Sequence, residues 1–150
     1  VDVGCRRISP ETVTEFIFGF APEGWDNLVK YLTQNKVPLN IAEKVGLIVK
    51  RKNTDGYYDR CRNRLMFPIC NVDGKVSGFG GRRVNEEDEP KYINSPDSDI
   101  YQKRKSFYGI NKSKDHIRRE DRAILVEGDT DFLSLYSSAI KNVVANLGTS

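Results

Sequence analysis

Residues 123–131 read Ala-Ile-Leu-Val-Glu-Gly-Asp-Thr-Asp, and no other stretch restricts the possible folds as much. Consecutive apolar residues without alternation predict a fully buried strand of a parallel sheet. Glu127 then falls at the carboxyl end of that strand, where open α/β sheets place their ligand sites. Gly128 lets the chain turn sharply, and Asp131 opens a helix predicted over residues 132–140. Two carboxylates at one strand-to-helix junction suit a hard divalent cation such as magnesium, which takes oxygen ligands and keeps phosphates as its other partners. The same carboxylates would also complement a helix dipole. The junction alone leaves both readings open.

Residues 143–147, Val-Val-Ala-Asn-Leu, read as the next strand. They are expected at a sheet edge, with one side of their backbone unpaired. One βαβ unit does not make a sheet, so the chain reads as a fragment of a longer protein. Its 150 residues allow one domain, or one domain and part of another. A formal net charge of +3 says little about partners. No run has the length of a membrane span and no signal-peptide pattern opens the chain, so no membrane role is expected. Cys5, Cys61 and Cys70 are odd in number and lack the close pairing of a zinc site or disulfide framework. They read as reduced thiols of a cytoplasmic protein. His116, the sole histidine, lies in a charged stretch and reads as a surface residue.

The first part of the chain carries helical stripes. Ser9 and Pro10 form a helix start, and Val13, Phe16, Ile17 and Phe20 follow at one-face spacing. Trp25, Leu28, Val29 and Leu32 predict a second short helix. Pro38 opens a third, with Ile41, Ala42 and Val45, closed by Gly46. The period then changes. Residues 47–49, 65–70 and 76–80 read as strands, the last two joined by an Asp73-Gly74 turn. Residues 85–89 form an acidic loop, residues 92–99 are expected to be irregular, and residues 113–120 read as a weakly helical hinge into the α/β segment.

Basic residues gather in the middle. Arg60, Arg62 and Arg64 alternate, which would place their side chains on one face of a strand. Arg82 and Arg83 follow Gly78-Phe79-Gly80-Gly81, where glycines would let a phosphate or another backbone come close. Lys91 and Lys103-Arg104-Lys105 come next, interleaved with Tyr57, Tyr58, Tyr92 and Tyr101. Cations fix phosphates and aromatic faces stack bases. The alternative is a solvated face with incidental arginines.

Taken together the chain resembles the RNA-polymerase core of bacterial replicative primases of the DnaG type. The resemblance rests on Arg6-Arg7-Ile8-Ser9, Gly19-Phe20-Ala21-Pro22 through Trp25-Asp26, and Tyr57-Tyr58-Asp59-Arg60-Cys61-Arg62-Asn63-Arg64-Leu65-Met66-Phe67-Pro68-Ile69. It continues through Gly78-Phe79-Gly80-Gly81-Arg82, Pro90-Lys91-Tyr92-Ile93-Asn94-Ser95-Pro96, Phe107-Tyr108-Gly109-Ile110, Val126-Glu127-Gly128 with Asp131, and Leu147-Gly148-Thr149-Ser150. The glutamate-glycine motif is shared by the wider Toprim superfamily. The arginine stretch, the glycine hairpin and the lysine-tyrosine-asparagine loop are more specific to primases.

The resemblance implies an α+β N-terminal subdomain over residues 1–121, followed by the truncated start of an α/β Toprim fold over residues 122–150. It implies primer synthesis on a single-stranded DNA template from ribonucleoside triphosphates, with magnesium or manganese as cofactor and no zinc in this stretch. A replicative helicase would be contacted through a domain not present here. By resemblance Glu127 is catalytic, as metal ligand or general base, and Asp131 belongs to the same metal cluster. Arg6, Arg82, Lys91 and Asn94 match nucleotide- or phosphate-binding positions. Arg60, Arg62, Arg64 and Lys103 match the template path. Arg7 and Arg104 stand where the family usually has glycine, and Asp129 and Thr130 replace a tyrosine and a methionine. The family's second acidic motif would lie beyond Ser150. Two further readings stand beside this one: a non-catalytic single-stranded nucleic-acid-binding module, and another Toprim enzyme such as a topoisomerase.

Overall fold

The computed structural model describes residues 2, 3, 6, 7 and 9–147, the first four by backbone alone. β1 (Asp2–Val3) and β2 (Arg6–Arg7) form a small antiparallel pair. Ser9 then starts α1 (Pro10–Glu15), its hydroxyl accepting the Thr12 N–H at 3.2 Å. The helix ends earlier than the apolar spacing predicts. Ile17 turns to φ 54°, the Ile17 N–H bonds to Thr14 and the Phe18 N–H to Val13, the paired bonds of a Schellman closure. Phe16 therefore enters the core, whereas Ile17 is exposed and Phe20 has passed into β3 (Gly19–Ala21).

α2 (Asn27–Gln34) and α3 (Leu39–Lys44) pack Leu32 and Ala42 against Ile48 of β4 (Ile48–Lys50), which pairs with β5 (Tyr57–Asp59). Trp25 precedes α2 and is exposed, and Ile41 also faces outward. The buried Asp59 carboxylate ties this module together, accepting the N–H groups of Leu28 at 2.7 Å and Val29 at 3.0 Å. First-turn N–H groups have no helical partner, and a negative charge there also complements the dipole.

β6 (Arg64–Cys70) and β7 (Val76–Arg83) form the central hairpin. Its turn carries Gly74 at φ 83° and Asn71, whose side-chain oxygen accepts the N–H groups of Asp73 and Lys75. β8 (Tyr92–Asn94) pairs with β7, so residues 92–94 are a strand and not irregular chain. The sheet order is β3-β6-β7-β8. The space beside Gly80 is taken by the chain itself: an added Cβ would lie 2.6 Å from the Phe67 ring and 3.3 Å from the Asn94 side-chain oxygen. The close approach expected there is made by internal side chains.

After a 3-10 turn (Lys103–Lys105) come β9 (Phe107–Tyr108) and α4 (Ile110–Glu120). α4 occupies the predicted hinge as a continuous helix of 11 residues with Ser113 fully buried. Its only apolar residues, Ile110 and Ile117, are seven apart on one face, a periodicity that the surrounding charges hide. β10 (Ile124–Val126), α5 (Asp129–Ser137) and β11 (Val143–Asn146) follow. β10 and β11 are parallel, as the apolar run predicts.

The positions in that sheet differ from expectation. Its order is β10-β11-β9, because Phe107–Tyr108 adds antiparallel to the far side of β11. β11 is therefore the central strand and not an edge, with Val143 and Ala145 fully buried. β10 lies at the end of this order, and Leu125 is 62% exposed, so its apolar run is not buried on both faces. One core joins this sheet to the four-stranded one: Phe16, Phe67 and Tyr108 pack with Phe132 and Tyr136 of α5.

Candidate active site

A cleft of about 500 Å³ opens where these two sheets meet. Glu127 and the first turn of α5 supply one wall, and Tyr92, Asn94 and Lys103 another. The parallel register sets Val126 beside Ala145, so Glu127 and Asn146 leave their strands side by side at one carboxyl edge and line the same space. Gly128 caps α5 with extended backbone, placing Asp129 and Asp131 in the first helical turn. Asn94 crosses from β8 and donates from Nδ2 to the Leu147 carbonyl at 2.9 Å. That bond fixes the amide while linking the two walls.

Residues far apart in sequence thus converge. Glu127, Asp131, Asn94 and Lys103 all line the cleft. Arg82 reaches its border through Tyr92, donating to the phenol oxygen at 2.9 Å with its guanidinium 5.4 Å from the ring centroid. The Lys91 ammonium is 5.8 Å from that ring. The side chain of Arg6 lies outside the described residues, as does the end of the Leu147–Ser150 motif after Leu147.

The arginines at 60, 62 and 64 do not share a strand face. β5 ends at Asp59, β6 begins at Arg64, and Asn63 between them sits at φ 49°. Alternation arithmetic fails because the backbone is not extended through these residues. Arg62 stacks over Trp25, 3.9 Å from its ring centroid, and donates to the Asp59 carbonyl. Arg64 is only 3% exposed, and its Nη1 lies 3.5 Å from the Lys91 carbonyl. Desolvation pulls its pKa below the usual guanidinium value. Arg60 lines a different cavity.

Asp129 is the residue that spacing undervalued. It lines the cleft between the two expected carboxylates and accepts the Thr130 N–H at 2.8 Å. Burial pushes its pKa up, partly countered by that hydrogen bond and by Arg82. Tyr92 is raised by burial and by Asp129 and Asp131. Asn146 was also missed. The signal was present: it ends the strand parallel to that of Glu127, and parallel neighbours share their carboxyl edge.

The three carboxylates and the amide oxygens offer a hard donor set suited to a hydrated divalent cation that takes one or two protein carboxylates and completes its shell with phosphate. Among the described residues no three histidine, cysteine or acidic side chains converge closely enough to enclose a metal by themselves. The junction therefore fits a cation shared with a ligand, and not a closed structural centre.

The family model of the DNA primase catalytic core, N-terminal domain, matches residues 3–114. The chain belongs to the DNA primase family. It is 42% identical to the DNA primase of Synechococcus elongatus over 145 residues, covering 96% of this chain and 21% of that protein. It is 43% identical to the DNA primase of Halalkalibacterium halodurans, covering 97% of this chain and 24% of that protein. The chain thus spans about a quarter or less of the length of these primases. The RNA polymerase domain of Mycobacterium tuberculosis primase DnaG, in complex with double-stranded DNA bearing a 6-nucleotide overhang, matches with a TM-score of 0.89 at 35% identity, over 95% of this chain and 44% of that one. A DnaG primase catalytic domain bound to single-stranded DNA matches with a TM-score of 0.83 at 39% identity, over 95% of this chain and 45% of that one. No helix among the described residues of this primase chain is long and apolar enough to cross a membrane.

Proposed function

We propose that this chain is the N-terminal part of a primase catalytic core, and that residues from about 122 onward open its Toprim domain. The whole protein would synthesise RNA primers on single-stranded DNA from ribonucleoside triphosphates. The observation that carries this reading is the convergence of Glu127, Asp131, Asn94 and Lys103 on one cleft. The match of the family model to residues 3–114 supports a division between the two parts near α4.

Glu127 and Asp131 would hold magnesium or manganese, with Asp129 beside them. When bound, the cation supplies charge to activate the attacking hydroxyl and to stabilise the leaving pyrophosphate. Lys103, Lys91 and Arg82 contribute positive charge around the triphosphate, stabilising the charge that develops in the transition state. Tyr92 holds Arg82 in place through its phenol oxygen and ring. Asn94 is already oriented by Leu147 and presents its remaining amide oxygen to the ligand.

Template binding falls to a separate surface. Trp25 is exposed with Arg62 stacked on it, and Tyr58 lies edge-on to the indole at 5.5 Å. An exposed indole beside a guanidinium provides base stacking and phosphate binding together. The deciding experiment is primer synthesis by a full-length primase carrying this chain, on single-stranded DNA with magnesium and ribonucleotides. Glu127→Gln should abolish synthesis and leave thermal unfolding unchanged. Normal synthesis by that variant would remove Glu127 from the active site.

A further inference from the structure

Asn146 ends β11 beside Glu127, at the carboxyl edge where both side chains line the cleft. Ala145 before it is fully buried in the core, so alternation along the strand turns the Asn146 side chain to the opposite face. No hydrogen bond among the described residues engages that side chain. Asn94, by contrast, commits its Nδ2 to the Leu147 carbonyl.

The chemistry of an amide narrows what Asn146 can meet. Its NH₂ donates and its oxygen accepts, without charge. A hard cation prefers the carboxylates of Glu127 and Asp131, and phosphate oxygens prefer Lys103 and Arg82. In a templated reaction the base edges pair with the template. The ribose hydroxyls remain, and a hydroxyl also both donates and accepts.

Position selects among those hydroxyls. As cation ligand or as base, Glu127 serves the attacking 3′-hydroxyl at the growing end of the primer. The 3′-oxygen bonds to the α-phosphorus of the incoming nucleotide, the bond to pyrophosphate breaks, and the hydroxyl proton passes to Glu127 or to water. The 2′-hydroxyl sits on the adjacent carbon of the same ribose. Asn146 stands one strand spacing from Glu127, about 4.8 Å, which suits that neighbouring hydroxyl.

We propose, on the primase reading above, that Asn146 hydrogen-bonds the 2′-hydroxyl of the growing end and makes this primase prefer a ribose terminus to a deoxyribose one. The test gives a full-length primase carrying this chain a template annealed to a short primer ending in either a ribonucleotide or a 2′-deoxynucleotide. Single-nucleotide extension is followed with magnesium and ribonucleoside triphosphates. The unaltered protein should extend the ribose-ended primer about tenfold more efficiently, the scale of one hydrogen bond to a ligand hydroxyl. Asn146→Leu keeps the approximate shape without the amide and should bring that ratio close to one. A merely structural role would slow both extensions alike and preserve the ratio, which would overturn the proposal. Equal extension of the two primers by the unaltered protein would overturn it too. If Asn146→Leu fails to fold, Asn146→Ala makes the same comparison of ratios. Extension of neither primer by the unaltered protein would overturn the primase reading itself, and the proposal with it.

Discussion

Glu127 and Arg64 are both charged residues at the end of a strand, and they meet opposite fates. Glu127 follows β10 at the carboxyl edge of a parallel pair and faces an open cleft. Arg64 begins β6 in an antiparallel meander and is covered, its guanidinium turned toward the carbonyl of Lys91. In a parallel βαβ unit the chain must leave the strand to start its helix, which opens a crevice beside the junction. An antiparallel neighbour instead continues alongside and closes over the strand end. A charge at a strand terminus is thus available to a ligand or consumed by the fold according to how the next strand returns.

The largest expected effect tests the open end of this comparison. In a full-length primase, Glu127→Gln should lower primer synthesis by about a thousandfold or more, the scale of several kcal/mol of cation-dependent stabilisation. Arg64→Ala should leave the cleft chemistry in place but destabilise the chain by about 2–3 kcal/mol, because a buried side chain is removed and its cavity remains. Urea titration of the chain would measure this, and an unchanged midpoint would erase the distinction between the two residues. Asp59→Asn keeps one accepting oxygen but sets an NH₂ donor against the other N–H of α2 and removes the charge, and should cost about 2–3 kcal/mol in the same urea titration.

Arg62→Ala should behave in the opposite way to Arg64→Ala. Its stability cost should stay at about 1 kcal/mol, the scale of a partly solvated cation–π interaction. Its single-stranded DNA binding should weaken, with the salt slope reduced by roughly 0.7 for the one phosphate no longer neutralised. An unchanged slope would assign Arg62 to packing against Trp25 alone.

A smaller effect concerns alkaline pH. Burial, with Asp97 adding to it, pushes Tyr101 up to about 12. Its contribution to stability is fully present below the unfolded tyrosine value of about 10 and is lost as pH rises towards the folded one. Tyr101→Phe should therefore flatten the loss of stability above about pH 10, which thermal melts at stepped pH would show. The smallest difference lies within one sheet. Amides of β11, paired on both sides, should exchange more slowly than the amides of β10 not directed at β11. Faster exchange in β11 would contradict the order β10-β11-β9.

Much of this was legible in the chain because it depends on neighbours in sequence. The Ser9-Pro10 cap, the Asp73-Gly74 turn, the helix closed by Gly46 and the glutamate at the end of an apolar strand are short-range geometry. The Asp131 carboxylate falls in the first turn of α5 for the same reason, although that helix begins at Asp129. Failures occurred where a local count was carried across a change of backbone. Ile17 and Asn63 turn to positive φ, and beyond each the extrapolated face no longer exists.

The sequence alone determined that a carboxylate pair would stand at a strand-to-helix junction, since an apolar run, a glycine and two acids leave few other arrangements. It also determined that short helices would form in the first part of the chain, although Ile17, Phe20, Trp25 and Ile41 of the predicted stripes are exposed. Only the tertiary structure decided which strand was central. The short β9 arrives from outside the βαβ unit and pairs with β11, and no pattern within either segment encodes that partner. Tertiary packing likewise decided that Asn94 and Lys103 would face Glu127, that Asp129 would join them, and that Arg64 would be buried. These outcomes depend on which backbone covers which surface, a property of the assembled sheets that side-chain spacing along one segment does not contain.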